Sequence, residues 1–202
     1  MNIERLNKIR IIFEQNKPIV KTAILRENKI NSRDIMELIE SGYIKKVKTG
    51  YYAWADDFEN YNDLEVVQGI IPEGVISVFS AAEIHELTTV NPTCISVTIP
   101  TKMLKPKLPE YPPVELYYIS NKYLELGIIN YETEHMNIRL YNTERTVCDF
   151  FKYSDNVGND VALEVIKNYM SRKNKNIQML FEYATKLRVK KYIKPYVEAL
   201  LW

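Results

Sequence analysis

Two carboxylates and a histidine stand close together at Glu132, Glu134 and His135. With Asp149 they would suffice to hold a divalent metal for phosphodiester cleavage. The segment reads as a turn ahead of a strand, however, and no Glu-x-Lys or paired-Asp nuclease pattern accompanies it, so no metal site is expected. His85 falls in a short, partly apolar helix, where a hydrogen-bonded core histidine is expected rather than a ligand. Glu144 and Arg145 invite a chemical reading but fit a structural one better. Arg145 would form a buried or half-buried ion pair, or bind backbone carbonyls, between a sheet and the C-terminal helices. Cys94 and Cys148 lack the spacing of a disulfide framework or a zinc site, and neither has a charged partner in sequence that marks a nucleophile. With only six glycines there is no loop to cradle phosphates. No catalytic residue and no cofactor is expected.

The chemistry with a clearer pattern is electrostatic. The stretch ESGYIKKVKTGYYAW, Glu40 to Trp54, carries three lysines and three tyrosines around one Thr-Gly pair. Lys45–Lys48 and Tyr51–Trp54 read as two strands joined at Thr49-Gly50. A two-residue loop pairs Lys48 with Tyr51, Val47 with Tyr52, Lys46 with Ala53 and Lys45 with Trp54. Val47, Tyr52 and Trp54 would then pack inward, while Lys46, Lys48 and Tyr51 point outward together. A slip of one residue would put Lys45 in the place of Lys46, because Thr-Gly is a weaker turn former than Asn-Gly.

Three helices precede this hairpin. Ile3, Leu6, Ile9, Ile12 and Phe13 follow helical spacing, and Asn16-Lys17-Pro18 ends the first helix. A second runs from Lys21-Thr22 to about Asn28 and is expected to bury Ala23 and Ile24, with Leu25 beside them. A third is capped by Asn31 or Ser32, favoured by Asp34 or Glu37 in its first turn, buries Ile35, Leu38 and Ile39, and stops at Ser41-Gly42. Three helices followed by a basic hairpin is the winged helix-turn-helix arrangement, in which the third helix enters the DNA major groove by its N-terminal end. Ser32 and Arg33 lie at that end, and Arg33 suits a bidentate contact to guanine. Lys21, Thr22 and Lys29 would grip the backbone at the helix starts. Lys45 or Lys46, with Lys48, Thr49 and Tyr51, would meet phosphates from the wing.

The net charge of +1 conceals blocks. Residues 1–54 hold 11 Lys and Arg against 6 Asp and Glu; residues 55–160 hold 7 against 17; residues 161–202 hold 9 against 3. A basic head implies a polyanion partner, here double-stranded DNA. Two further basic clusters, Arg172, Lys173 and Lys175, and then Lys186 to Lys194, could help hold bent DNA, bind RNA or pair with the acidic middle of the chain; a second polyanion surface is the preferred reading. Apolar residues at 46% are enough for a packed core. No secretory leader and no membrane-length apolar run is visible, so a cytoplasmic protein without a membrane partner is expected.

Beyond the polar connector at Asp56–Asp63, strands are expected at Val75–Phe79, Cys94–Ile99, Glu115–Ile119 and Met136–Tyr141. Ser80 would cap a short helix, and Lys102–Pro113, with four prolines, must be an irregular loop. Helices are expected from Thr143, over Val161–Met170 and Ile177–Leu187, and from Pro195 to Leu201, with Pro195 at the first helical position. The fold class is α+β: a winged helix-turn-helix over residues 1–57, then a larger mixed α/β domain over residues 64–202 that ends in helices.

The stretch VKTAILRENKINSRDIMELIESGYIKKVKTGYY resembles the N-terminal domain of AbiEi-type antitoxins. SAAEIHELT (Ser80–Thr88) is similar to that family's Ser/Ala-Leu-x-x-His-Gly-Leu-Thr segment, with Glu86 where the family usually has Gly. YNTERTVCDFF (Tyr141–Phe151) is similar to its Glu-Arg-Thr-x-x-Asp segment, through Glu144, Arg145, Thr146 and Asp149. The resemblance covers nearly the whole chain. It implies the antitoxin of a bacterial type IV toxin–antitoxin pair linked to phage abortive infection. The N-terminal domain of such a protein represses its own operon at inverted repeats. The second domain opposes a nucleotidyltransferase-like toxin without a stable complex, and Arg172, Lys173, Lys190 and Lys191 are the expected surface for that role. Two other readings are a plain winged-helix regulator whose second domain binds a ligand or partner, and a metal-dependent nuclease.

Overall fold

The computed structural model describes residues 3–201; Met1, Asn2 and Trp202, at the outer ends of the two expected domains, lie outside the described residues. The chain is mixed α+β and divides into two compact units. The first comprises the residues up to Pro72 together with Pro106–Pro113 and Thr133–Met136; the second comprises Glu73–Lys105, Val114–Glu132 and the chain from Asn137 onward. The first unit therefore runs past the polar connector that the sequence suggested as a boundary.

The first unit contains α1 (Ile3–Gln15), β1 (Val20–Lys21), α2 (Thr22–Glu27), α3 (Ser32–Glu40), β2 (Ile44–Lys48), β3 (Tyr51–Trp54), α4 (Ala55–Phe58) and α5 (Asp63–Ile70). Ile9, Phe13, Leu25, Ile35, Leu38, Ile44 and Trp54 meet in one buried core. Ile9, Phe13, Ile35 and Leu38 lie on the faces that helical spacing predicts, whereas Ile3 and Ala23 are exposed and Leu25 carries the burial of α2; burial of such side chains is the main term holding helices this short. The strands form an antiparallel sheet in the order β1-β3-β2. The polar connector is not a loop. Its first half is α4, and Asn62 caps α5 in a reciprocal box with Glu65.

The hairpin register differs from the expected one. Lys48 pairs with Tyr51, but Lys46 pairs with Tyr52, Lys45 with Ala53 and Ile44 with Trp54, with an irregularity at Val47 between them. Strict alternation from a Thr49-Gly50 turn would set Lys45 opposite the core tryptophan. The bulge at Val47 places apolar Ile44 there instead, and burial of that pair outweighs the lost ladder step.

The second unit contains β4 (Val75–Ile76), α6 (Val78–Ile84), β5 (Ile95–Pro100), β6 (Val114–Ile119), α7 (Asn121–Leu124), β7 (Ile128–Glu132), β8 (Asn137–Tyr141), α8 (Thr143–Lys152), α9 (Ser154–Val157), α10 (Asn159–Met170), α11 (Ile177–Lys186) and α12 (Lys190–Leu200). Its five strands lie in the order β6-β5-β4-β8-β7. The β5–β6 and β4–β8 pairs are parallel, and β4–β5 and β7–β8 are antiparallel. Helix α8 is buried along nearly its whole length, and α6, α10, α11 and α12 pack against it or one another around Tyr141, Phe150, Tyr169, Leu180 and Ile193.

Three expectations are corrected here. The strand at Val75–Phe79 stops at Ile76, and α6 begins at Val78 with Ser77 in the cap position. Ser80 instead accepts a hydrogen bond from the Ser96 amide at 2.9 Å. Helix α12 starts at Lys190, not at Pro195, which lies inside it. Ile193 and Val197, one turn apart, are fully buried, and their burial carries the helix through a residue that cannot donate to it.

Candidate nucleic-acid interface

Helix α3 is set up locally. The Asn31 side chain accepts from the amides of Arg33 at 2.9 Å and Asp34 at 3.1 Å, and Asp34 accepts from the Asn31 amide at 3.0 Å. Asp34 also holds Arg5 at 2.8 Å, so helix α1 braces the same end. The far end closes on Gly42 at φ +74, with Gly42 N–H bonded to Ile39 and Tyr43 N–H to Leu38. With Ile35 and Leu38 buried, the solvent face holds Ser32, Arg33, Met36, Glu37 and Glu40. Met36 is 55% exposed, a large apolar side chain in the second turn of that face. It suits a thymine methyl, as Glu37 suits the amino group of cytosine. Neither residue was foreseen; both follow from taking the complement of the buried stripe.

The wing is joined to the start of α2. The Thr22 amide donates to the Gly50 carbonyl at 2.9 Å. Strand pairing sets Lys21 beside Tyr51 and Tyr51 beside Lys48, one residue from each strand in a single row. The ammonium of Lys21 lies 5.8 Å and that of Lys48 3.9 Å from the Tyr51 ring centre. Lys21, Thr22, Lys48, Thr49 and Tyr51 are thus brought together. Lys29 is exposed in the α2–α3 turn with a left-handed backbone, and Ser32 and Arg33 are exposed at the start of α3.

The lysines of the wing are not equivalent. Lys48 does not project freely: its Nζ donates to the Lys107 carbonyl in the proline-rich loop. Burial, then the charges of Lys21 and Lys107, lower its pKa from the ordinary lysine value. Val47, expected in the core, lines a cleft of about 360 Å³ with Lys46, Lys48, Lys107 and Leu108. Lys45 is paired with Glu59 and stands 6.0 Å from the Phe58 ring. Lys46 is exposed and, among the described residues, has no ion-pair partner, which leaves it the wing cation best disposed toward a phosphate.

The hairpin base is clamped from α1. Arg10 donates to both oxygens of Asp57 at 2.9 Å, Lys17 approaches the same carboxylate at 3.3 Å, and the guanidinium lies 4.9 Å from the Trp54 ring centre. Burial works to raise the Asp57 carboxyl, but the bonds from Arg10 and Lys17 outweigh it and leave the pKa lowered.

The fold is similar to that of the RV2827C protein from Mycobacterium tuberculosis, with a TM-score of 0.50 and 14% identity, covering 95% of this chain and 79% of that one. At that identity the likeness concerns the fold alone. No protein-family model matches the sequence, and no curated protein matches it. No described helix is long and apolar enough to cross a membrane.

Of the residues that could serve metal chemistry, His135 and Asp149 are engaged otherwise. His135 donates its amide to Glu65 at 3.0 Å, and its Nδ1 lies 3.3 Å from the same carboxylate. Glu132 and Glu134 are exposed. Asp149, fully buried in the second unit, accepts from Arg145 Nε at 2.9 Å. No group of three or more metal-ligating side chains occurs among the described residues. The Nε2 of His85 lies 2.7 Å from the Tyr141 carbonyl, an acceptor, so that nitrogen carries the proton.

The C-terminal basic residues do not behave as one surface. Arg172 donates to the His85 carbonyl and closes the end of α6. Lys173 is exposed, Lys190 lies 5.4 Å from the Phe181 ring centre, and Lys191 lies 4.6 Å from that of Tyr192. Lys191 lines a cleft that includes Lys152 and Arg188 but not Arg172 or Lys173.

Proposed function

We propose that the first unit is a winged-helix DNA reader. In this reading the whole chain is a cytoplasmic, non-enzymatic antitoxin that represses its own operon at inverted repeats and opposes a nucleotidyltransferase-like toxin. The observation that carries the DNA reading is the capped start of α3, which presents Ser32, Arg33 and Met36 to solvent on a helix followed by the wing. A helix end fixed by two reciprocal cap bonds and an ion pair offers base edges a rigid set of donors. Lys21, Thr22, Lys29, Lys46 and Tyr51 would supply the sequence-independent phosphate contacts. The antitoxin half rests on the resemblance through Glu144, Arg145, Thr146 and Asp149 and on the Ser80–Thr88 segment.

The test is a titration of the full chain against duplex DNA from the region upstream of its own gene and against an unrelated duplex, at several salt concentrations. Preference for the upstream duplex, lost in Arg33→Ala, supports the reading. Equal, weak binding to both duplexes would make the winged helix a protein-contact module. The antitoxin role is tested separately, by co-expression with a nucleotidyltransferase-like neighbour gene. Growth rescue separates an antitoxin from a plain regulator.

A further inference from the structure

The second unit holds an open cleft of about 770 Å³ where the turn between α11 and α12 faces the end of α8 and α9. That volume lies in the range that takes a small organic ligand. Its cations are Lys152, Arg188 and Lys191. None of them has a carboxylate partner among the described residues, whereas the neighbouring Lys186 and Lys194 are paired with Glu182 and Glu198 on their own helices. Three cations without an ion-pair partner therefore meet at the cleft.

Arg188 also sits where a glycine would be easiest. It follows the end of α11 with φ 63, its amide bonded to Thr185 and the next to Ala184, the closing pattern in which glycine is favoured. A long cation at such a position points to a role for the side chain beyond closing the helix. Beside it, Tyr192 and Tyr196, one turn apart on α12, are 51% and 40% exposed. Exposed aromatic rings next to unpaired cations form the combination that stacks a base and holds its phosphate. Asp155 and Asn159 line the same cleft. A carboxylate there disfavours a bare polyanion but accepts hydrogen bonds from a ribose hydroxyl or a base amino group.

We propose that this cleft binds a nucleoside phosphate, with the base against Tyr192 and Tyr196 and the phosphates on Lys152, Arg188 and Lys191. The ligand is either a free nucleotide or the terminal nucleotide of a single strand; the chemistry recognised is the same. The proposal goes beyond the DNA-reading role and uses none of its residues.

The experiment is calorimetric titration of the full chain with ATP, GTP, CTP, UTP, tripolyphosphate and a 5′-phosphorylated single-stranded RNA octamer, repeated with the upstream duplex present. Nucleotides should bind at least about tenfold more tightly than tripolyphosphate, given the usual strength of base–aromatic stacking. Lys152→Gln/Arg188→Gln should weaken every ligand about tenfold or more. Tyr192→Ala/Tyr196→Ala should weaken nucleotides and leave tripolyphosphate within about twofold. The exposed single variant Lys191→Gln serves if a double variant melts early, and should weaken every ligand severalfold. An octamer that outcompetes every mononucleotide assigns the ligand to a strand end; the reverse assigns it to a free nucleotide. Tripolyphosphate binding as tightly as the nucleotides overturns the proposal. So do the absence of binding at millimolar concentration and indifference to the substitutions. Nucleotide binding by a chain that fails to select the upstream duplex would leave this inference standing and remove the DNA reading alone.

Discussion

Lys48 holds its ammonium 3.9 Å from the centre of the Tyr51 ring and bonds at the same time to the Lys107 carbonyl. The wing lysine that sequence alone ranks with Lys46 is therefore an anchor for the proline-rich loop. On the proposed DNA-reading role, Lys46→Ala should make the salt dependence of binding to the upstream duplex shallower by about one unit of slope and leave the melting temperature unchanged. Lys48→Ala should lower the melting temperature and expose Pro106–Pro113 to limited proteolysis. Identical proteolysis of the two variants would show that Lys48 does not anchor the loop.

The Arg10–Asp57 clamp ties the wing to α1, and its strength should depend on pH. The Asp57 pKa is lowered in the folded chain. Its contribution is therefore fully present above the unfolded carboxylate value, near pH 4, and is lost as pH falls through the lower folded value. Asp57→Asn should cost about 1–2 kcal/mol at pH 7, in line with charged hydrogen bonds elsewhere. Its melting temperature should approach that of the parent chain at acid pH. A constant gap from pH 7 to pH 2.5 would contradict the clamp.

Arg145 is fully buried, donates to Asp149 at 2.9 Å and to the carbonyls of Tyr123 and Leu126 at 2.8 Å, and lies 4.0 Å from the centre of the Tyr141 ring. It makes both the ion pair and the carbonyl contacts that its sequence context suggested. Burial already raises the Asp149 carboxyl, and Arg145 opposes that rise. Arg145→Met should cost the second unit about 3–5 kcal/mol at pH 7 and leave the DNA binding proposed for the first unit intact. A carboxyl whose folded pKa is raised destabilises only when ionised, so the deficit should shrink as pH falls. Normal thermal stability of the variant at pH 7 would count against a structural role.

Two backbone positions give opposite expectations. Gly127 has φ +81, and a Cβ there would meet Arg145 Cβ at 2.7 Å. Gly127→Ala should cost about 2–4 kcal/mol, from the left-handed backbone and the clash together. Glu86 closes α6 with φ 53, its amide bonded to Glu83 and that of Leu87 to Ala82. Glu86→Gly should stabilise the chain by about 0.5–1 kcal/mol, since relief of the left-handed strain exceeds the entropy that glycine adds to the unfolded state. Differential scanning calorimetry of both variants decides.

Helices α1 to α3 and the hairpin that follows them were legible because local signals agree there: the Asn31 cap, the Ile35–Leu38 stripe, the Gly42 stop and the Thr49-Gly50 turn. The wing register was not, because the residue that settles it is Ile44, whose partner Trp54 is chosen by a core built from three helices. Strand β7 and helix α5 escaped notice for a related reason. The strand is exposed along most of its length, and α5 buries Glu65 as the acceptor for Thr133 and His135, distant residues that its own sequence does not announce. At the C-terminus, Lys186 to Lys194 suggested one basic cluster. Helical pairing neutralises Lys194, and only the α11–α12 turn brings Arg188 beside Lys152.

By itself the sequence determined the α+β class, the helix-helix-helix-hairpin order at the N-terminus and the absence of a membrane-length apolar run. These follow from periodicity, caps and composition, which act over a few residues. Only the tertiary structure decided which lysines remain open to a partner. Lys45, Lys48 and Arg172 find Glu59, the Lys107 carbonyl and the His85 carbonyl across separations of 14, 59 and 87 residues, and Lys46, Arg188 and Lys191 are left facing solvent. Charge is written in the chain, but whether a charge is already satisfied depends on what folding brings within reach of it.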